Sequence, residues 1–544
     1  MRGLMMDWPL TITSMVDYAG RYHGTQEIVT RTIEGPIHRY TFADLRLRAL
    51  KLGQALTTLG VGLGDRIGSL AFNTYRHLEM FHGVTGIGAV LHTVNPRLFP
   101  EQIVYIVEHA EDSWMFADLA CWPIIEALAD KLPGVKGWVV MTDRAHMPET
   151  KLANVHCYDD LIDGASGDFQ WASFDENTAA TMCYTSGTTG NPKGVVYSHR
   201  SIVLATFAAS MGDVLGAAPK GGDVLMPISP FFHANGWMLP FTPCMTGNKM
   251  VLPGRSYEPE KLLELMNDEG VTVTAAVPTI WTMLMDYLDR TGKRPTSLTR
   301  VLIGGSAPSE GMLRKIELEL GIEVYQGWGM TETSAIGTKG GLKPGAGNLP
   351  WEEQAALKMT QGRGAYGVEM RIVDDAGQVL PNDGEASGVL QVRGPWIASG
   401  YFKGEGGNPL SADGWLNTGD VARLRPDGYM VLTDRAKDVI KSGGEWISSI
   451  DLENTASSHP AVLEAAVIAA HHPKWDERPL LIVVLKQDAS LTRDELLTWL
   501  APRLAKWWLP DDVVFVDEIP HTATGKISKL TLRQQFRDHV LPTI

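Results

Sequence analysis

Residues 185 to 193 read Thr185-Ser186-Gly187-Thr188-Thr189-Gly190-Asn191-Pro192-Lys193, and Gly194 follows. Glycine lets the backbone turn its N–H groups toward one point, the hydroxyls add donors, and Lys193 adds positive charge. Such a set suits a polyphosphate, an anion that needs many donors within a short span. The spacing is not that of the ATPase P-loop, whose lysine follows a glycine and precedes Ser or Thr. Here Pro192 and Gly194 flank the lysine. Taken alone, the stretch also reads as a polar surface loop.

A phosphate cradle needs rigid walls. Ala179 to Tyr184 is strand-like ahead of the loop, and Val195 to Tyr197 follows it. A second unit begins at Arg300–Ile303, a short apolar strand turned by Gly304-Gly305-Ser306-Ala307-Pro308. Ser309 is an N-cap for the next helix, Leu313, Ile316 and Leu320 give that helix an apolar face, and Gly321 ends it. Ile322 to Tyr325 is the following strand, and Gly327-Trp328-Gly329 closes it. In open α/β sheets ligands bind beyond the carboxyl ends of the strands, so the two glycine-rich turns should flank one pocket.

Strand-like runs alternate with helical periodicity through the first 430 residues, which predicts α/β layers. The pattern changes near Asp434, where a charged, glycine-ended segment runs to Gly444. Beyond it come a helix over Ser449–Ser457, strands at 465–470 and 480–485, a helix over 493–506 and a strand at 513–516, a compact α+β pattern. We therefore expect a large N-terminal α/β domain over residues 1–434 and a small α+β C-terminal domain over 435–544.

With 544 residues the chain exceeds what one core holds. A net charge of −15 without a basic stripe argues against nucleic acid as partner. It also means that a polyanion must be captured by local features rather than by the overall field. Cys121, Cys157, Cys183 and Cys244 are scattered without metal or redox spacing, which predicts reduced cytosolic thiols. Asp7 and Pro9 interrupt the N-terminal apolar stretch, and no run is long enough to span a bilayer. The expectation is a cytoplasmic protein with no membrane span.

The loop and four further segments, in order, resemble the adenylate-forming superfamily of acyl-CoA synthetases, luciferases and adenylation domains. The loop resembles its phosphate loop, Tyr325–Thr333 its adenine and magnesium motif, and Asn417–Asp420 its ribose motif. Arg435–Lys441 with Ser442–Trp446 resembles its hinge and the loop after it, and Pro520–Lys526 its C-terminal lysine motif. The resemblance covers essentially the whole chain. It implies that the large domain includes a distorted β-barrel subdomain and that the small domain is mobile.

Site roles follow residue by residue. Thr185, Ser186, Gly187, Thr188, Thr189, Gly190 and Lys193 would hold the β- and γ-phosphates of ATP. Gly304, Gly305, Ser306, Gln326, Gly327, Trp328, Thr331 and Arg435 would complete the ATP and AMP site, with Asp420 accepting from the ribose hydroxyls. Glu332, a carboxylate beside the hydroxyl of Thr331, suits Mg²⁺ held against phosphate oxygens. Lys526 would neutralise charge growing on the α-phosphate. His233 and Trp237, in Pro230–Trp237, together with Gly304 and Trp328, would line the acyl pocket. Lys437 would be the hinge, and Lys441, Ser442, Gly443, Gly444, Glu445 and Trp446 would meet coenzyme A.

The implied activity is ATP-dependent ligation of a carboxylic acid to coenzyme A through an acyl-adenylate, with Mg²⁺ as cofactor and a homodimer as assembly. The segments Lys441–Ser448 and Phe231–Trp237 look most like the medium-chain fatty-acyl-CoA ligase branch. That branch includes ligases acting on 3-methylmercaptopropionate, an acid of dimethylsulfoniopropionate breakdown, which the resemblance makes the expected substrate. The alternatives are a general medium-chain ligase, an adenylation enzyme feeding a carrier protein, a luciferase-like oxygenase and a non-catalytic nucleotide-binding regulator. Retention of both Lys526 and Glu332 disfavours the last of these.

Overall fold

The structure is a computed structural model that describes residues 1, 3–185, 191–211, 222–435, 437–443, 445–522 and 527–543, with backbone alone at 445 and 446. Two seven-stranded sheets make the body of the large domain. In the first, the strands Gly137–Met141, Asp112–Asp118, Arg66–Leu70, Val90–Thr93 and Ala179–Tyr184 run parallel, and Gly194–Ser198 closes the edge antiparallel. The phosphate loop is thus the connection of an edge hairpin. Its two strands pair from Ala179↔Ser198 to Tyr184↔Gly194.

In the second sheet Val224–Pro227, Val273–Ala276, Arg300–Ile303 and Glu323–Gln326 are parallel neighbours. Ile303 lies opposite Gln326 in register. The β-α-β unit read from sequence is therefore present, and its two glycine-rich turns leave the sheet side by side. Ser309 caps the intervening helix by accepting from Met312 N, while Leu313 and Ile316 are buried. Gly321 takes φ +70° at its end, a left-handed conformation that glycine adopts without steric cost.

Residues 369–435 form a four-stranded antiparallel sheet, Glu369–Val373, Ser387–Arg393, Leu416–Leu424 and Met430–Arg435. The resemblance implied a distorted barrel subdomain within the large domain; among the described residues the strands of 369–435 pair as an open sheet. The C-terminal region builds a separate five-stranded sheet around the long hairpin Val462–His472 and Asp476–Leu485. Its faces carry their own apolar clusters, one centred on Ile440, Val467, Leu481 and Leu496, the other on Ile468, Ile482 and Leu532. This is a small C-terminal domain with its own core.

The helix Ser449–Ser457 has the bounds expected. The helix expected over 493–506 stops at Leu500, because Pro502 lacks the N–H that the next helical hydrogen bond requires. All four cysteines are buried and free, and burial pushes the Cys244 thiol up to about 12. Among the described residues no helix is long and apolar enough to cross a membrane.

Candidate active site

The ends of the phosphate loop are clamped to each other. Thr185 N donates to Lys193 O at 2.9 Å, and Lys193 N donates to Thr185 Oγ1 at 3.0 Å. Ser186, Gly187, Thr188, Thr189 and Gly190 lie outside the described residues. Tyr197, on the exit strand, donates its hydroxyl to Thr331 O at 2.7 Å and so fixes the Thr331–Thr333 turn against the loop's base.

Glu332 is buried on that turn. Its Oε1 accepts from the Tyr401 hydroxyl at 2.7 Å, and its carbonyl accepts from Ala398 N at 2.7 Å. Tyr401 also presents its ring to Lys193, whose Nζ stands 4.7 Å from the ring centre. A polar cleft of about 350 Å³ opens beside this pair, lined among others by Asn408, Ser411 and Asn417. Among the described residues no three His, Cys, Asp or Glu side chains cluster as a metal cage. One carboxylate with neighbouring hydroxyls still fits Mg²⁺, which takes one or two carboxylates and completes its shell with phosphate oxygens and water.

Asp420 is fully buried on the strand Leu416–Leu424. Its Oδ2 accepts from Trp328 Nε1 at 2.8 Å, and Arg435, its cross-strand neighbour, brings Nε to 2.7 Å from Oδ1. That second contact lacks hydrogen-bond geometry, which leaves Asp420 Oδ1 a buried acceptor without a hydrogen-bond donor. Gln326 Oε1, at the end of its strand, is in the same condition. Asp420 Oδ1, in mid-strand, is thus met by the Arg435 charge alone, and Gln326 Oε1 ends its strand, so both oxygens are free to take a further donor. Trp328 is therefore tied to the Asp420 end of the site.

Trp237 and Gly304 meet at another point. A Cβ added to Gly304 would lie 3.0 Å from the Trp237 indole edge, so the indole rests directly on the backbone of that turn. Ala234, Asn235, Gly236, Trp237 and Met238 all have φ between 38° and 64°, a run of left-handed backbone. For residues other than glycine this costs about 1–2 kcal/mol each. Buried side chains hold it in place. Asn235 accepts from Thr181 Oγ1 and donates to Thr93 Oγ1 at 3.0 Å, while Asn73 bonds Pro227 O, Ser229 O and Phe231 N. His233, half-buried, opens the turn and accepts from Gly236 N at 2.9 Å. Gly305 takes φ +85° and Ser306 is exposed at the lip.

At the junction of the domains Asp434 accepts from Ser449 N at 2.8 Å and from Ser449 Oγ at 2.6 Å. Lys437 is exposed, and its carbonyl accepts from Arg533 at 3.5 Å. The strands Ile440–Ser442 and Glu445–Ile447 make a tight hairpin in which Lys441 pairs with Trp446. Gly443 turns at φ +61°, and a Cβ there would strike Trp475. Lys441 N donates to Glu477 at 2.8 Å. Gly444, Lys526 and the side chains of Glu445 and Trp446 lie outside the described residues.

The AMP-binding enzyme model matches residues 17–402, and the AMP-binding enzyme C-terminal domain model matches 451–526. The chain belongs to the AMP-binding enzyme family. It is 47% identical over 99% of both chains to a 3-methylmercaptopropionyl-CoA ligase of Ruegeria lacuscaerulensis. It is 44% identical to a medium-chain-fatty-acid–CoA ligase of Ectopseudomonas oleovorans, over 99% of this chain and 98% of that one. A benzoate CoA ligase from Burkholderia xenovorans LB400 superposes with a TM-score of 0.82 at 25% identity, over 97% of this chain and all of that one.

Within this family member, sequence reasoning passed over Tyr401, Tyr197 and the bond from Trp328 to Asp420. Each joins segments 69 to 134 residues apart, and no local pattern announces such a pairing.

Proposed function

We propose that the chain is an AMP-forming carboxylic acid:CoA ligase acting on short and medium-chain acids, with 3-methylmercaptopropionate as its principal substrate. The observation that carries the nucleotide half is Asp420, a buried carboxylate held by Trp328 at one oxygen and charge-paired with Arg435 at the other. The ligase half is supported by whole-length similarity to acid:CoA ligases.

A carboxylate is a poor electrophile. Its attack on the α-phosphate of ATP gives an acyl-adenylate with a good leaving group, and pyrophosphate departs. In this reading the clamped loop from Thr185 to Lys193 binds the β- and γ-phosphates, and Asp420 orients the ribose. Glu332, with Thr331 and Thr185 nearby, would hold Mg²⁺, which neutralises phosphate charge when bound. Lys526 stabilises the charge that builds on the α-phosphate. The C-terminal domain, 435–544, then turns about Lys437. The Lys441–Trp446 hairpin guides the thiol of coenzyme A to the acyl carbon, and AMP leaves. His233, Trp237 and Gly304 enclose the acyl group.

A cytoplasmic homodimer belongs to the same proposal. Leu4, Met5, Met6 and Trp8 stand largely exposed, an apolar arm suited to a second copy. Light scattering tests that point. Acid-dependent pyrophosphate release, measured with and without coenzyme A over a panel of carboxylic acids, tests the reaction. A ligase forms AMP and thioester only when the thiol is present. AMP transfer without thioester would identify an adenylation enzyme feeding a carrier. No acid-dependent release of pyrophosphate would leave the regulator.

A further inference from the structure

Tyr401 touches both charged groups at the proposed triphosphate end. It belongs to the run Ala398-Ser399-Gly400-Tyr401-Phe402, far in sequence from both of them. The run is attached to Glu332 twice, by Ala398 N to the Glu332 carbonyl and by the Tyr401 hydroxyl to the carboxylate, each at 2.7 Å. The other face of Tyr401 meets Lys193, with Nζ 4.7 Å from the ring centre. Gly406, at φ +77°, lies so close under the Lys193 stem that an added Cβ would strike it. The lysine is therefore held between an aromatic ring and a bare stretch of backbone.

We propose that Tyr401 is a positioning residue for the triphosphate, its ring holding Lys193 and its hydroxyl holding one oxygen of Glu332. The inference rests on the nucleotide reading above and adds a residue to it. An aromatic face attracts an ammonium most strongly where water is partly excluded, and Tyr401 is half-buried. A hydroxyl donating to a carboxylate makes a charge-assisted bond, stronger than a neutral one. It also fixes the carboxylate's rotamer, so that the opposite oxygen is offered in one direction. One side chain would thus set the spacing between a cation and an anion that both address the same phosphates, with no direct bond between them.

Tyr401→Phe keeps the ring and removes the hydroxyl; Tyr401→Leu removes both contacts. Calorimetric binding of ATP, over a titration of Mg²⁺, and of AMP without Mg²⁺ separates their roles in the full chain. For Tyr401→Phe we expect the Mg²⁺ midpoint for ATP binding to rise severalfold, with AMP affinity within twofold of the parent. For Tyr401→Leu we expect ATP affinity to fall by about tenfold, the scale of one charge-assisted bond with one cation–π contact. AMP affinity should again be near the parent, because AMP lacks the β- and γ-phosphates. A general packing role would weaken both nucleotides alike and leave the Mg²⁺ midpoint in place, and that outcome overturns the proposal. If the leucine variant does not fold, the Mg²⁺ midpoint of the phenylalanine variant decides alone. Parent protein that binds neither nucleotide overturns the nucleotide reading itself. Parent that binds both, with unchanged variants, overturns only the role of Tyr401.

Discussion

The proposed nucleotide end and the proposed acyl end of this site are built by opposite means. At the nucleotide end, Asp420, Glu332 and Lys193 are each held by a specific polar or aromatic partner. At the acyl end, Trp237 is held by van der Waals contact with Gly304 and by a left-handed backbone run pinned from below by Asn235. Directed bonds fail abruptly when one partner is lost, because the other is left buried and unpaired. Apolar walls fail gradually, by fractions of a methylene. The comparison teaches where catalysis and specificity should separate: changes at the polar end should alter rate, and changes at the apolar end should alter which acid is used.

The largest effect should come from the charge that enters the polar end during reaction. Lys526→Ala should lower acyl-adenylate formation by about 10²–10³, the usual cost of one preorganised donor at a developing oxyanion. Supplying synthetic acyl-adenylate should restore much of the thioester flux, because in the proposed mechanism the thiol step does not use this lysine. Pyrophosphate release at the parental rate would remove Lys526 from the mechanism.

Next in size is Asp420→Asn. It keeps the shape but loses the charge that meets Arg435 and weakens the acceptor for ribose. Hydrogen bonds to charged groups are worth about 1.5–3 kcal/mol, so the KM for ATP should rise by roughly tenfold to a hundredfold. The order of preference among acids should stay as it was. A reordered acid panel would show that the two ends are not separable.

Lys437→Pro probes the junction rather than either end. Proline fixes φ near about −65° and removes an N–H, so a segment that must change its backbone angles is locked. Acyl-adenylate formation should survive, while thioester formation should fall by about tenfold or more. Equal losses in both steps would make Lys437 a structural residue instead of a pivot.

Much of the polar end could be read along the chain, because its groups sit in short runs with fixed local geometry. The loop from Thr185 to Lys193, the turn at Thr331 and the strand Arg300–Ile303 are of this kind. What binds those runs to one another was not legible. Tyr401 reaches Glu332, and Trp328 reaches Asp420, only after the four-stranded sheet has folded beside the second large sheet. The left-handed run at 234–238 was also hidden. Only Gly236 and Asn235 favour such backbone by themselves, and the run is held by Thr93 and Thr181 at Asn235, with Asn73 fixing the chain just ahead of it at Phe231. The helix that ends at Leu500 shows the converse, a local signal in Pro502 that outweighs the apolar periodicity running past it.

The smallest and most graded effects belong to the acyl end. Each buried methylene is worth about 0.8 kcal/mol, or roughly fourfold, so neighbouring acids should differ modestly and a thioether should be accepted almost as its methylene counterpart. The upper limit on length should instead be steric, set where the Trp237 indole lies on Gly304. Trp237→Ala removes that cap without relieving the backbone, since alanine is no easier than tryptophan at φ 59°. It should shift the preferred acid toward longer chains by a few carbons and leave ATP use unchanged. Gly304→Ala acts in the opposite sense. Its new Cβ meets the indole at 3.0 Å and must push it by a few tenths of an ångström, either into the pocket or away from it. Phe231, Ala234 and Met238 in the same segment are buried, so displacement into the pocket should be the easier course, and the longest acids should be lost first. A preference for palmitate or coumarate over butyrate, hexanoate and methylmercaptopropionate in the parent would show that Trp237 does not cap the pocket. A Gly304→Ala variant that gained long acids would show that the indole moves outward.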